Sequence, residues 1–291
     1  MGRNVAQFLK TRGFKVIGTD LTGSDVDGDL TDNRFVLEGL REEDFDAIAH
    51  FAGFVNIPGS IENPYLCYRV NCFGTLNMLE LARLKQVTRF IYASSNNVYG
   101  PRARLPVSER AQVNPRAPYD DSKRIGELLV ESYHVHKLLP TVILRSWKMF
   151  GEYDVASSAV SRFVRACFNN QPLPLYNGGR DTNDFYHVEN YCGAVESALR
   201  NEKAVGQVFN VGSGKEVSVR ALAEKIRELA GSKSMLKPMP ARTRLEARPM
   251  RTRPSILKIQ RMLGYRCSVG LESGLKRTIA WFKNTSQPVP G

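Results

Sequence analysis

Residues 1–20 read MGRNVAQFLKTRGFKVIGTD. Val5, Ala6, Phe8 and Leu9 recur at helical spacing, which predicts an amphipathic helix over residues 3–11. Gly13 interrupts it, and residues 14–19 form a short apolar, β-branched run that ends in Asp20. A helix followed by a strand ending in an acid is the second half of a nucleotide-binding βαβ unit. The first half, a strand and a glycine-rich turn, belongs ahead of the helix, where only Met1 and Gly2 stand.

Outward from this half-motif the rhythm continues. Strand-like runs at residues 47–51, 89–93 and 141–144 alternate with helical patterns at 64–85 and 119–138. The expected fold class is α/β, a Rossmann-type doubly wound parallel sheet whose first strand and most of whose Gly-rich turn are absent. Past residue 151 the alternation loosens. A helix is expected over 156–169, turns in PLPLYNGGRDTNDF (172–185), and a second helix over 217–229. MLKPMPARTRLEARPMRTRP (235–254) holds four prolines and reads as extended and basic, and a last helix at 271–283 precedes a short tail. The domains expected are a cofactor-binding half, 1–150, and a smaller substrate lobe, 151–291, with about 184–214 returning to the core.

The composition is that of a globular chain, 42% hydrophobic and 24% charged. No apolar run approaches the ~20 residues that span a bilayer, and the start lacks a signal-peptide pattern. Cys67, Cys72, Cys167, Cys192 and Cys267 are scattered without ligand spacing, so a reduced cytoplasmic protein with no structural metal is expected. The net charge is +12, and residues 231–291 carry 13 Lys/Arg against Glu246 and Glu272. No stacking aromatics or zinc-finger spacing accompany them, so nucleic acid is not the expected partner. An anionic small substrate suits such a lobe, and most of these side chains also read simply as solvated surface.

In a sheet of this kind ligands bind beyond the carboxyl ends of the strands. Asp20 stands there, where an acid can accept from an adenosine ribose and repel a 2′-phosphate, favouring NAD over NADP; it also suits a plain turn. Asp29 and Leu30, in GDLTD (28–32), either flank an adenine or form a turn. HFAG (50–53) has small residues that admit a pyrophosphate, with His50 read as a packed core residue. RFIYASSNNVYG (89–100) sets two serines at the mouth of the sheet. PYDDSK (118–123) places Tyr119 and Lys123 at i, i+4 on one helix face. An ammonium there, with a positive nicotinamide, should lower the phenol from its usual ~10 toward neutrality. The phenolate can then take a hydroxyl proton as hydride leaves the same carbon. A second pair, Tyr133 and Lys137, lies further along the same helix and reads as a helix-face pair.

Together these stretches resemble the extended short-chain dehydrogenase/reductases, specifically the NAD-dependent sugar-nucleotide epimerase/dehydratase group that includes UDP-glucose 4-epimerases. The resemblance runs through NPYLCYRVNCFGTLNMLELAR (63–83), VFNVGSG (208–214) and MLGY (262–265) as well, and so spans the chain. It implies that Ser95 bonds the reacting sugar hydroxyl, Tyr119 is the acid/base, and Lys123 binds the nicotinamide ribose. It implies a NAD site formed by these two residues with Gly2, Asp20, Leu21, Asp29, Leu30, Phe51, Ala52, Gly53, Asn71 and Trp147. On the substrate side it implies Ser95, Asn96, Lys148, Asn183 and Arg244, with a nucleotide-diphosphate sugar bound. A homodimer is implied too, through a four-helix bundle built from the helices around Asn71 and Tyr119.

The chain departs from the group's pattern in several places. Dehydratases carry an Asp-Glu pair after the active-site Thr, whereas Asn96 and Asn97 follow Ser95 here, which argues against dehydration. Epimerases usually have Asn at Lys148 and Arg at Asn183. Gly2 matches the last glycine of a GxxGxxG turn, so one central strand and two glycines, about ten residues, are expected to be missing. Met1 is then expected to be an internal methionine of a longer protein, and the chain as it stands to hold NAD weakly. Three functions stay open: an epimerase, a keto-sugar reductase or dehydrogenase, and a non-catalytic binding protein that keeps the fold.

Overall fold

A computed structural model describes residues 1–101, 103–154, 158–241 and 249–285. The chain opens with α1 (Gly2–Thr11), which buries Val5 and Leu9. Residues 14–18, expected as strand, have no ladder; only β1 (Thr19–Asp20) pairs, in parallel, with β2 (Val26–Asp27). A strand needs a partner for its N–H and C=O groups. Among the described residues none stands between this segment and the main sheet, so Phe14 and Val16 pack on the core as side chains without joining a ladder.

The main sheet begins with β3 (Ala47–His50), followed by α2 (Ile57–Glu62), α3 (Pro64–Tyr68) and α4 (Gly74–Leu84). A π turn at Arg69–Phe73 joins α3 and α4 into one helical run, as the sequence period suggested. Next come β4 (Arg89–Ser95), α5 (Pro118–Val135), β5 (Thr141–Ser146) and β6 (Lys148–Phe150). The later part holds α6 (Ala159–Phe168), β7 (Leu173–Tyr176), β8 (Thr182–Asn183), β9 (Phe185–His187), α7 (Val188–Arg200) and β10 (Gln207–Val211). It finishes with β11 (Val217–Ser218), α8 (Val219–Leu229), β12 (Leu236–Met239), α9 (Leu257–Leu263) and α10 (Leu271–Thr285). The helix expected from residue 217 starts two residues later because Ser218 caps it, accepting from the Ala221 N–H at 3.1 Å.

The order of the main sheet is β10-β5-β4-β3, all parallel, with β3 open on its outer edge among the described residues. Every residue of β4 and β5 is buried, which is why both read as near-continuous apolar runs. Alternate side chains serve opposite faces: Ile91, Val142 and Leu144 meet α1 and α7, while Phe90, Tyr92 and Ile143 meet α4 and α5. A separate apolar cluster joins α6, α8, α10 and β7, and β12 pairs in parallel with β7.

One side chain ties distant parts of the chain together. Asn210 of β10 donates to the Val107 carbonyl (2.9 Å) and the Ser255 carbonyl (3.5 Å), and accepts from the Tyr99 hydroxyl (2.7 Å). Its backbone N–H donates to Glu109 at 2.9 Å. All five cysteines are free thiols. Among the described residues no helix is long and apolar enough to cross a membrane. Tyr133 hydrogen-bonds Glu80 across α4 and α5, whereas Lys137 lies beyond the end of α5 at φ 57°, so the two do not share a helix face.

Candidate active site

Three chain segments meet at the carboxyl end of β4. Ser95 ends the strand, and its Oγ accepts from the Asn97 N–H at 3.2 Å, capping the turn Asn96–Tyr99. Pro118 at the first position of α5 fixes the helix start, and the Tyr119 N–H donates to Ser60 Oγ at 3.2 Å. One turn later Lys123 turns inward: its ammonium donates to the Ala93 carbonyl at 2.9 Å and lies 5.1 Å from the Tyr92 ring centre. Ser95, Tyr119 and Lys123 are all buried, and Ser95 acts on the Tyr119 phenol.

The electrostatics correct one expectation. Burial pushes the Tyr119 phenol up to about 12, with Ser95 pulling it back and the Asp120 carboxylate pushing it further up. The Lys123 ammonium does not bring the phenol toward neutrality, because it is directed to a strand carbonyl and is itself lowered by burial to about 8. His50 is a core residue, 3.1 Å from Thr75 Oγ1, and burial together with the Lys123 charge lowers it to about 3.

On the cofactor side, α1 starts against HFAG: a Cβ on Gly2 would come 3.9 Å from the Phe51 ring. Gly53 admits no side chain, since a Cβ would meet Asn71 Oδ1 at 2.8 Å, with Lys123 Nζ 3.5 Å away. Asn71 is nearly inaccessible and fully engaged, accepting from the Phe54 N–H (2.6 Å) and donating to the Phe54 carbonyl (3.0 Å) and Ser122 (2.7 Å). Its side chain therefore holds the 51–54 loop against α5. Phe51 packs edge-on to Tyr191, and Ala52 is exposed.

Asp20 and Leu21 are both exposed, with the Leu21 N–H on Asp20 Oδ1 at 2.8 Å. Asp29 accepts from the Thr31 N–H at 2.8 Å and faces Arg69 at 3.6 Å, while Leu30 is buried. Trp147 lies in the core against Tyr99, its ring N–H donating to Thr252 at 2.9 Å.

On the substrate side Asn96 is buried and Lys148 half-buried; the Lys148 backbone N–H bonds the Asp184 carbonyl at 3.1 Å. Asn183 Oδ1 is buried with no hydrogen-bond partner among the described residues. Arg244 lies outside the described residues.

Two structural features escaped sequence reasoning. The Glu127 carboxylate, inaccessible on α5, takes both arms of Arg145 (2.7 Å each), Arg124 (2.9 Å) and Ser94 (2.5 Å). It stands one turn after Lys123, and a lone arginine inside the apolar strand TVILRS was the available signal. The second is Asp184, whose buried carboxylate collects the N–H groups of Ser213 (2.9 Å) and Gly214 (2.6 Å) and so holds the loop after β10.

Residues 2–278 match the family model described as GDP-mannose 4,6 dehydratase. The chain belongs to this family. It is thereby an extended short-chain dehydrogenase/reductase of the sugar-nucleotide epimerase/dehydratase type, with that group's Rossmann-type fold. It is 31% identical over 257 residues to a putative UDP-glucose 4-epimerase of Methanocaldococcus jannaschii, covering 86% of this chain and 81% of the relative. It is 29% identical over 265 residues to a dTDP-glucose 4,6-dehydratase of Streptomyces niveus, covering 88% and 78%. The fold superimposes on the UDP-glucose 4-epimerase of Thermus thermophilus in complex with NAD, with a TM-score of 0.87, 26% identity, and coverage of 97% and 95%.

Proposed function

We propose that this family member is an NAD-dependent epimerase of a nucleotide-diphosphate sugar. The reading is carried by the Ser95–Tyr119–Lys123 group gathered at the end of β4, with amides, Asn96 and Asn97, following Ser95 where a dehydratase has carboxylates. The residues fit the cofactor. Lys123 has one protein acceptor for its three donor hydrogens, leaving two to reach ribose hydroxyls. The first N–H groups of α1 open beside Phe51 and the small residues Ala52 and Gly53, a setting that favours a pyrophosphate. Asp20, Asp29 and Leu30 stand on the side assigned to the adenosine.

NAD held by these residues would supply a reversible hydride acceptor. Tyr119 takes the proton of the reacting hydroxyl and later restores it, while Ser95 orients that oxygen. Lys123 supplies fixed positive charge, and Asn71 keeps the 51–54 loop in place. We assign residues 1–150 mainly to the cofactor and 151–291 mainly to the sugar nucleotide, with β10 returning to the sheet. The exposed Tyr65, Phe73 and Leu128 on the helices around α5 support a homodimer, and the free thiols suit the cytoplasm.

The test is a panel of nucleotide sugars incubated with the protein and NAD and read for epimer formation. Epimer should accumulate without net NADH, and Tyr119→Phe should slow it by about 10²–10⁴-fold while sugar-nucleotide binding persists. Stoichiometric NADH consumption would instead assign a reductase, and indifference to Tyr119→Phe a non-catalytic binder.

A further inference from the structure

Asp120, the residue after the catalytic tyrosine, has no role in the reading above. Its carboxyl is 7% exposed. Oδ2 accepts from the Arg116 N–H at 3.2 Å, and Oδ1 is shut off from solvent with no hydrogen-bond partner among the described residues. The charged and polar groups that face this carboxyl are the Asn97 amide, the Lys148 ammonium and the neighbouring Asp121 carboxylate. Lys148 reaches it from a different element, β6, and Asp120 is the charge that acts on Lys148 in turn. The two lie beyond 4.0 Å, and Lys148 Nζ makes no hydrogen bond among the described residues.

An unmet buried acceptor is unfavourable, while the half-buried Lys148 keeps its ammonium hydrogens free of protein acceptors among the described residues. Asp120 and Lys148 act on each other yet make no direct ion pair, so a third group can join them. A hydroxyl does so, because its oxygen accepts from an ammonium while its hydrogen goes to a carboxylate. The location suits a sugar: the Asn97 N–H bonds Ser95 Oγ, Ser95 acts on the Tyr119 phenol, and Asp120 is one residue from Tyr119.

We propose that Asp120 and Lys148 clamp one hydroxyl of the sugar, near the hydroxyl that Tyr119 deprotonates, and so select substrates that keep that hydroxyl free. This rests on the nucleotide-sugar reading. The pair is a recognition device and leaves the proton and hydride transfers to the groups already named. A site built to bond a hydroxyl rejects the analogue that lacks it far more strongly than an apolar pocket rejects a missing methylene.

The experiment is calorimetric titration of the NAD-supplemented protein with UDP-glucose, dTDP-glucose and their 2-, 3- and 6-deoxy counterparts. Epimer formation from the two parent compounds is assayed separately. One deoxy compound should bind the wild-type chain at least ~100-fold more weakly than its parent. Asp120→Asn and Lys148→Met should each bind the parent more weakly and bring that one ratio to within about threefold, leaving the ratios for the other hydroxyls unchanged. A ratio within one variant does not depend on how much of it is folded. Full discrimination at every hydroxyl in both variants, or an equal loss at all of them, overturns the clamp while the epimerase reading stands. Binding with discrimination but no epimer overturns the epimerase reading and leaves the clamp. If neither parent binds, both fall.

Discussion

His50 and Lys123 are two buried nitrogen bases, and the Lys123 charge raises the cost of charging His50. For His50 the folded chain resists protonation down to about pH 3, while the unfolded chain takes the proton near 6.5. Across that window the unfolded state holds more protons, so stability falls as the pH drops, by about 1.4 kcal/mol per pH unit for one proton. His50→Gln, which can still reach Thr75, should flatten the acid limb of stability against pH by about one proton. Denaturant unfolding at several pH values between 4 and 7 measures this, and an unchanged slope refutes it. The same scale shows what a residue string conveys. Tyr119 and Lys123 were legible because i, i+4 spacing fixes a shared helix face. The direction of the Lys123 ammonium was not, because it depends on the Ala93 carbonyl of a strand distant in sequence. Asp120 sat within the quoted motif PYDDSK, but only burial beside Lys148 distinguishes it from Asp121.

Glu127 fastens helix α5 to the sheet. That carboxylate joins α5 to β4 through Ser94 and to β5 through Arg145, one turn after Lys123. Removing one partner of a buried, hydrogen-bonded ion pair leaves an uncompensated charge. Glu127→Ala should therefore cost about 3–5 kcal/mol in denaturant unfolding, and a loss below about 1 kcal/mol would show the network to be replaceable. Strands β4 and β5 could be read from sequence because a parallel strand buried on both faces carries an unbroken apolar centre, Phe90–Ala93 and Val142–Leu144 here. Residues 14–18 have the same composition and form no strand, since pairing belongs to two segments and composition to one. The open side of β3 has an observable counterpart: its outward-facing amides should exchange with solvent faster than those of β4, which is paired on both sides.

Charge and apolar surface are distributed unevenly over the whole molecule. The basic excess of residues 231–291 should draw in an anionic sugar nucleotide over a distance set by salt. KM for that substrate should accordingly rise as ionic strength increases, with kcat changing less; an unchanged KM would show the charge to be mere surface. On the opposite character of surface, Phe73 and Leu128 are exposed large apolar groups on the helices proposed to pair. Phe73→Asp combined with Leu128→Asp should convert a dimer to a monomer in sedimentation, and no change in mass would remove that interface. The overall α/β architecture was legible from alternation alone, whereas the return of β10 to the edge of β5 was visible only as a motif, VFNVGSG. That return also sets an order of assembly. Asn210 makes its bonds to Tyr99, Val107 and Ser255 only when all three are present, and Ser255 comes late in the chain. A polypeptide emerging from its N-terminus has β5 complete long before the strand and the cross-tie that cover it. The edge of β5 therefore waits, unprotected, until residues 207–211 have been made, so mispairing competes with folding in the nascent chain as well as at the open edge of β3.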